Sequence, residues 1–245
     1  MEPLAKMAKT PLWFRFSLQR PLHPFPENYE CKKEIEEILD SLFEHAFEVR
    51  DLLEYGRTEA KLATLPLSAA HISVIRAWTS SLTLSQVLKA AFRELDIEKI
   101  RQHLDYIWLL KGALDLMSPA EYNVAFRGEK VVMDWCLPGQ RATFVCFTSL
   151  SLCVNQASTF CGQKGTFLIF HMTRQKARDV RPYAHFKNEQ ELLLPTNTCW
   201  TVLQVLSGQQ GVDHVVGEVG SKQKITERTK ERLQSQLVLV LTDSK

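Results

Sequence analysis

Ser118-Pro119-Ala120-Glu121-Tyr122-Asn123-Val124-Ala125-Phe126-Arg127-Gly128 is where the chain changes its periodicity. Ser-Pro punctuates, because proline has no N–H to donate and restricts the residue before it. Upstream, apolar residues recur at helical spacing. Ile35, Leu39, Leu42, Phe43, Ala46, Val49, Leu52 and Leu53 mark one stripe, with Asp51, Glu54, Arg57 and Lys61 on its polar side. After Pro66, Ser68 is placed to cap a helix holding Ile72, Ile75 and Trp78. Leu84, Val87, Leu88, Ala91 and Leu95 mark another, and Ile97 to Leu110 a third whose end Gly112 weakens. Downstream from Tyr122 the runs are short, β-branched and aromatic: Val124 and Phe126, Val131 and Val132, Phe144 to Phe147. Thr166 to His171 suits a strand buried on both faces. Glu191 to Leu194 stops at Pro195, Trp200 to Val205 follows a Thr-Asn turn, and Leu237 to Leu241 is a last strand. The polar Gly- and Lys-containing stretch 208–231 reads as a loop or hairpin tip. The expectation is an α+β protein: an irregular arm over residues 1–26, a helical lobe over 27–117, and a β-rich core over 118–245, with a cleft between the lobes.

Composition narrows the function classes. Of 245 residues, 45% are hydrophobic and 24% charged, as in an ordinary soluble domain. The formal net charge of +2 demands neither nucleic acid nor an acidic membrane surface as partner. No apolar run approaches the roughly 20 residues of a membrane helix. The start of the chain is basic and broken by Pro3, Pro11, Pro21, Pro24 and Pro26, so it lacks the apolar core of a cleavable signal. None of the six cysteines (Cys31, Cys136, Cys146, Cys153, Cys161 and Cys199) stands in C-x-x-C spacing, which argues against a zinc cluster and, without a secretory signal, for free thiols.

Three segments of the β-rich half carry chemistry. Arg127-Gly128 ends a strand; a guanidinium binds phosphate as a charged fork, and glycine admits a ligand close to the backbone. Phe147-Thr148-Ser149-Leu150-Ser151 places two hydroxyls on one strand face, where they can hydrogen-bond a carboxylate. Glu189-Gln190-Glu191 puts two carboxylates on the same face at the start of an apolar strand, where each raises the other's pKa. One could stabilise an oxocarbenium-like sugar centre and the other accept a proton from a nucleophile. Each motif alone is common: a surface charge at a turn, a half-exposed strand, a charged strand start.

Together and in this order, Arg, Ser-x-Ser and Glu-x-Glu resemble the Arg–Ser–Glu class of mono-ADP-ribosyltransferases, in its arginine-type and bacterial effector or toxin branch. The likeness extends to Ala77-Trp78-Thr79 and the following Leu84–Phe92, to Ala157-x-x-Phe160, to Glu191-Leu-Leu-Leu-Pro195 and to Trp200–Val205, so it covers about His71 to Val205. Two departures stand out: Leu150 replaces the middle hydroxyl of the family's Ser-Thr-Ser, and Trp78 replaces a tyrosine.

The resemblance implies a helical lobe packed on a core of two facing β-sheets that holds NAD, a substrate here, with no metal. Arg127 would grip the NAD phosphates, the Gly128 backbone the nicotinamide amide, and Phe160 would pack on the nicotinamide ring. Ser149 would orient Glu191, which would bind the ribose 2′-OH and stabilise charge as nicotinamide departs. Glu189 would address the acceptor, with Tyr183 and Phe186 on an acceptor-facing turn between His171 and Asn188. The basic residues of that stretch (Arg174, Lys176, Arg178, Arg181 and Lys187) could steer an acidic protein surface. The implied partner is a target protein of a host cell, ubiquitin among the candidates, modified on arginine or on a hydroxyl such as threonine. The setting is a monomeric effector delivered into host cytoplasm, with the arm as a delivery signal. An inactive binding module of this fold and an NAD glycohydrolase are the alternatives.

Overall fold

The computed structural model describes residues 14–15, 33–42, 46–62, 64, 66–80, 82–173 and 177–243. Apart from residues 14–15, the arm lies outside them, as do Arg174 and Lys176.

The first half is helical as its periodicity requires: α1 (Ile35–Asp40), α2 (Ala46–Leu62), α3 (Ala69–Ser80), α4 (Leu82–Glu94), α5 (Ile97–Gln102) and α6 (Leu104–Leu116). Ser68 caps α3, its hydroxyl accepting from the His71 N–H at 3.3 Å. Stretches read as single helices are divided. Residues 97–110 break at His103, and the second piece runs through Gly112 to Leu116 because Ala113 and Leu114 are buried. Leu95, in the left-handed region at φ 55°, ends α4, and Asp96 then caps α5 by accepting from Lys99 N–H at 3.0 Å.

The second half contains β2 (Val124–Glu129), β3 (Arg141–Phe144), β4 (Thr148–Ser151), α7 (Val154–Thr159), β5 (Thr166–His171), β6 (Arg178–Asp179), β7 (Glu191–Leu194), β8 (Thr198–Ser207), α8 (Gly208–Val219), α9 (Glu227–Gln234) and β9 (Leu237–Asp243). The short β1 (Phe14–Arg15) joins them by pairing with β3. Val131 and Val132 form no strand; Thr166 instead donates to the Val131 carbonyl at 2.8 Å and accepts from Met133 N–H at 2.9 Å.

Among the described residues the strands form one ladder in the order β1-β3-β8-β9-β5-β2-β4-β7-β6, antiparallel except for β5 with β9. The two facing layers are therefore two halves of a continuous sheet. β3 and β5 are separated by two strands, which in a flat sheet would place them about 14 Å apart. The rings of Phe144 and Phe170 nevertheless lie 5.4 Å apart, so the sheet curls over a shared core that also holds Leu150, Leu192 and Trp200. The opposite face of β4 and β7 packs Phe147 and Leu193 against Trp78, Leu88 and Tyr106 of the helical lobe. A third apolar layer, on the outer face of β5 and β9, is covered by α7, α8 and α9.

The reading of 208–231 as a loop is corrected: it is α8 and α9 joined by a short 3-10 turn. Val212, Val215 and Val219 form a buried stripe at helical spacing, and Thr226 caps α9 through Thr229 N–H. Glycine and β-branched valine are weak helix formers, so it is packing on the sheet, not propensity, that makes this segment helical. The cysteines described are free, and burial pushes the thiols of Cys136, Cys146 and Cys161 up to about 12, so they act as small apolar groups. No helix among the described residues is long and apolar enough to cross a membrane.

Candidate active site

The register of β4 against β7 builds the centre of the site. Ser151 pairs with Glu191 and Ser149 with Leu193, so Ser149, Ser151 and Glu191 share the face turned to the helical lobe. Leu150 and Leu192 pair on the other face and are buried in the curled core. The missing middle hydroxyl is thus a core substitution, pointing away from the two serines. Ser149 lies diagonally across from Glu191 and hydrogen-bonds its carboxyl. Ser151 is occupied locally: its hydroxyl accepts from Cys153 N–H at 3.0 Å and contacts the Cys153 carbonyl at 3.2 Å, shaping the turn into α7.

Glu191 is only 8% exposed. Burial holds its carboxyl above the ordinary glutamate value and the nearby Glu189 charge adds to this; the Ser149 hydrogen bond and the charges of Lys89 and Arg127 oppose it. Glu189 sits one turn earlier, its N–H donating to the Phe186 carbonyl at 3.1 Å, and its carboxyl is also raised by burial.

Arg127, on β2, reaches sideways. Its Nη1 donates to the Ser149 carbonyl at 2.7 Å and its Nε pairs with Glu129. β2 and β4 share a single register pair, Phe126 with Ser151, so the guanidinium serves the Ser149 carbonyl where the ladder has ended. Gly128 is required by packing. A Cβ there would stand 2.3 Å from the Ala157 carbonyl and 2.7 Å from the Cys161 nitrogen, so its lack of a side chain is what admits α7 against β2.

These groups line one cleft of about 550 Å³, within the usual range for a small-molecule site. Arg127, Gly128, Ser149, Glu189 and Glu191 all contribute. So do Phe160, at the end of α7, and Phe186; at 48% and 47% exposed, they are large apolar rings held on the cleft and open to solvent. The helical lobe supplies Trp78, Ser85, Gln86 and Lys89.

Tyr183 does not belong to this set. It is 6% exposed and packs in the helical-lobe core, so its expected acceptor-facing position is corrected to a structural one. The three described cations of the basic stretch are engaged by protein groups. Arg178 donates to the Leu114 carbonyl at 2.8 Å, Arg181 pairs with Asp179 and bonds Tyr122, and Lys187 donates to the Pro182 carbonyl at 2.6 Å and the Tyr55 hydroxyl at 2.8 Å. These cations hold the turn in place. Thr79 and Arg76 of α3 clamp it further, by accepting from His185 N–H at 2.8 Å and donating to the Ala184 carbonyl at 3.3 Å. Phe186 and Glu189 are therefore presented by a pinned turn.

Sequence reasoning missed Lys89 and Glu129. Lys89 stands with its ammonium 5.3 Å from the Trp78 ring, and burial followed by the Arg127 charge lowers its pKa to about 8. The only sequence signals were a lysine interrupting the apolar face of Leu84–Ala91 and an Arg-x-Glu on a strand, both common.

A family model described as NAD:arginine ADP-ribosyltransferase matches residues 23–224. No curated protein matches the chain by sequence. Among solved structures, Exoenzyme S from Pseudomonas aeruginosa, in complex with human 14-3-3 protein beta and bound to Carba-NAD, is 19% identical with a TM-score of 0.58, covering 86% of this chain and 88% of that one. The type III effector XopAI from Xanthomonas axonopodis pv. citri is 13% identical with a TM-score of 0.61, covering 86% of each. A mutant of the eucaryotic mono-ADP-ribosyltransferase ART2.2 in complex with NADH is 17% identical with a TM-score of 0.53, covering 88% and 89%. At these identities the structural likenesses establish the shared fold.

Proposed function

Because the chain belongs to the NAD:arginine ADP-ribosyltransferase family and is an NAD-dependent ADP-ribosyltransferase, we propose that it transfers ADP-ribose to an arginine side chain of a target protein, with Glu191 and Glu189 as its two working carboxylates. The observation that carries this reading is the meeting of Arg127, Ser149, Glu189 and Glu191 in one cleft, with Phe160 and Phe186 uncovered on its walls.

The chemistry follows from the geometry. With Arg127 Nε and Nη1 engaged, Nη2 is the nitrogen left for a phosphate oxygen of NAD. The Gly128 backbone serves the nicotinamide amide and Phe160 its ring. As the bond between nicotinamide and ribose breaks, its electron pair leaves with nicotinamide and positive charge spreads over the ribose C1′ and ring oxygen. Glu191, held by Ser149, binds the 2′-OH and faces that charge. Glu189 takes a proton from the guanidinium as it attacks C1′; its raised pKa suits a group that must hold that proton. The setting that fits a family with effector members is a host cell, with a host protein such as ubiquitin as acceptor; a hydroxyl acceptor is the narrower alternative.

The test incubates the protein with labelled NAD, host-cell lysate, purified ubiquitin and a simple guanidino compound, and follows protein label and free nicotinamide together. Glu189→Gln should lower acceptor labelling about 10²-fold while nicotinamide release persists. Equal loss of both would refute the division of labour, and nicotinamide release without label in the native protein would make it a glycohydrolase. Lys89→Met should move the acid side of the rate profile to higher pH. Removing a cation beside Glu191 raises its pKa further, so the working carboxylate is lost earlier as pH falls. A pH–rate profile that coincides with the native one would rule out this role for Lys89.

A further inference from the structure

The helix that replaces the expected loop at 208–219 faces the end of β5 and brings together three side chains outside the cleft. His214 and Glu218 are i and i+4 on α8, and His171 alternates with Phe167 and Ile169 on the face of β5 that α8 covers. His171 Nε2 lies 3.1 Å and His214 Nε2 lies 3.4 Å from the same Glu218 oxygen. Each of the three offers one ligand atom, and these atoms all lie within 4.8 Å of one another. The edge of a tetrahedron with zinc bonds of 2.0–2.1 Å is about 3.3 Å. Both contacts to Glu218 match that edge.

A pair of imidazoles simply hydrogen-bonded to a carboxylate would look different. Both Nε2 atoms are buried, and among the described residues neither makes a hydrogen bond despite the short distance. The carboxylate oxygen therefore lies off the direction in which either ring nitrogen donates. That is the arrangement expected when lone pairs converge on a common point beside the oxygen. Two imidazoles and a carboxylate are ligands suited to Zn²⁺ and its neighbours in the first transition row, and three protein ligands leave one position for water.

We propose that His171, His214 and Glu218 form a divalent transition-metal site that staples α8 to the end of β5. The sequence shows no spaced metal motif because the third ligand comes from a strand 43 residues upstream of His214. The transfer chemistry does not use the site, so its test is independent of that activity.

The metal-free protein of residues 1–245 should bind one equivalent of Co²⁺, giving the visible absorption of a four-coordinate ion without a thiolate charge-transfer band. Zn²⁺ should displace it and raise the Tm. Glu218→Gln, nearly isosteric, and His214→Gln should each weaken binding at least about tenfold and abolish the Zn²⁺-dependent rise in Tm while unfolding cooperatively without metal. Affinity unchanged in both variants, a thiolate band, or no Co²⁺ binding by the native protein would each overturn the assignment.

Discussion

Glu191→Gln should slow nicotinamide release from NAD by about 10²-fold or more, yet leave the protein at least as resistant to unfolding at neutral pH as the native chain. The two halves of this expectation have one cause. Glu191 is buried on the β4–β7 face and its carboxyl is held above its ordinary pKa. For an acid whose folded pKa is raised, the folded state binds more protons than the unfolded one between the two values. Stability therefore falls as pH rises from the ordinary value of 4.5 through the folded one. Glutamine carries no charge to bury, and its carbonyl still accepts from Ser149, so that cost disappears while the shape remains. What disappears with it is the anion that the proposed function sets against the ribosyl cation. The native rate should fall on the acid side with a midpoint above 4.5, and the variant should lack that limb. Burst kinetics, a pH–rate profile and thermal melts of the two proteins check each part. A variant as fast as the native protein would remove Glu191 from the chemistry, and a slow variant that also melts early would show a merely structural role.

Arg127→Lys should raise the Kd for NAD about 10- to 100-fold, equivalent to about 1.4–2.8 kcal/mol, and lower stability by about 1–3 kcal/mol. The charge is kept, so long-range attraction to phosphate survives. The fork is lost. In the native protein one guanidinium meets the Ser149 carbonyl and Glu129 from two edges of a single plane, and the proposed function gives its third edge to a phosphate. An ammonium on a flexible stem cannot reach all three. The Ser149 carbonyl stands beyond the end of the β2–β4 ladder and would lose its donor, and Glu129 would lose its close ion pair. Calorimetry with NAD and denaturant melts read the two losses separately. Undiminished NAD affinity in a folded variant would show that the guanidinium serves only the sheet.

Much of the cleft was legible in the chain because its parts are local. A strand-ending Arg-Gly and Ser-x-Ser depend on period-two geometry that the sequence carries itself, and both entered one cleft with Glu191, the first residue of β7, whereas Glu189 reaches it from the turn before that strand. Lys89 and Glu129 were not legible, because their importance lies in what they face: a Trp78 ring and a Glu191 carboxyl for one, the Arg127 guanidinium for the other. Tyr183 failed for the opposite reason. Its sequence neighbourhood is polar, and only the pinned turn shows its ring directed into the helical lobe.

By itself the sequence determined the change at Ser118-Pro119 from helical spacing to short β-branched and aromatic runs, because hydrophobic period and residue type are properties of the local chain. It also determined that Ser149 and Ser151 share one face of β4. Tertiary structure alone decided that the strands form one curled ladder, that the valine-rich 208–219 segment is helical, and that Arg178, Arg181 and Lys187 are tethers. Those outcomes depend on which surfaces meet across long separations. A valine stripe becomes a helix when Val238 and Val240 cover it, and an arginine becomes a tether when a carbonyl 64 residues away accepts its hydrogen bond.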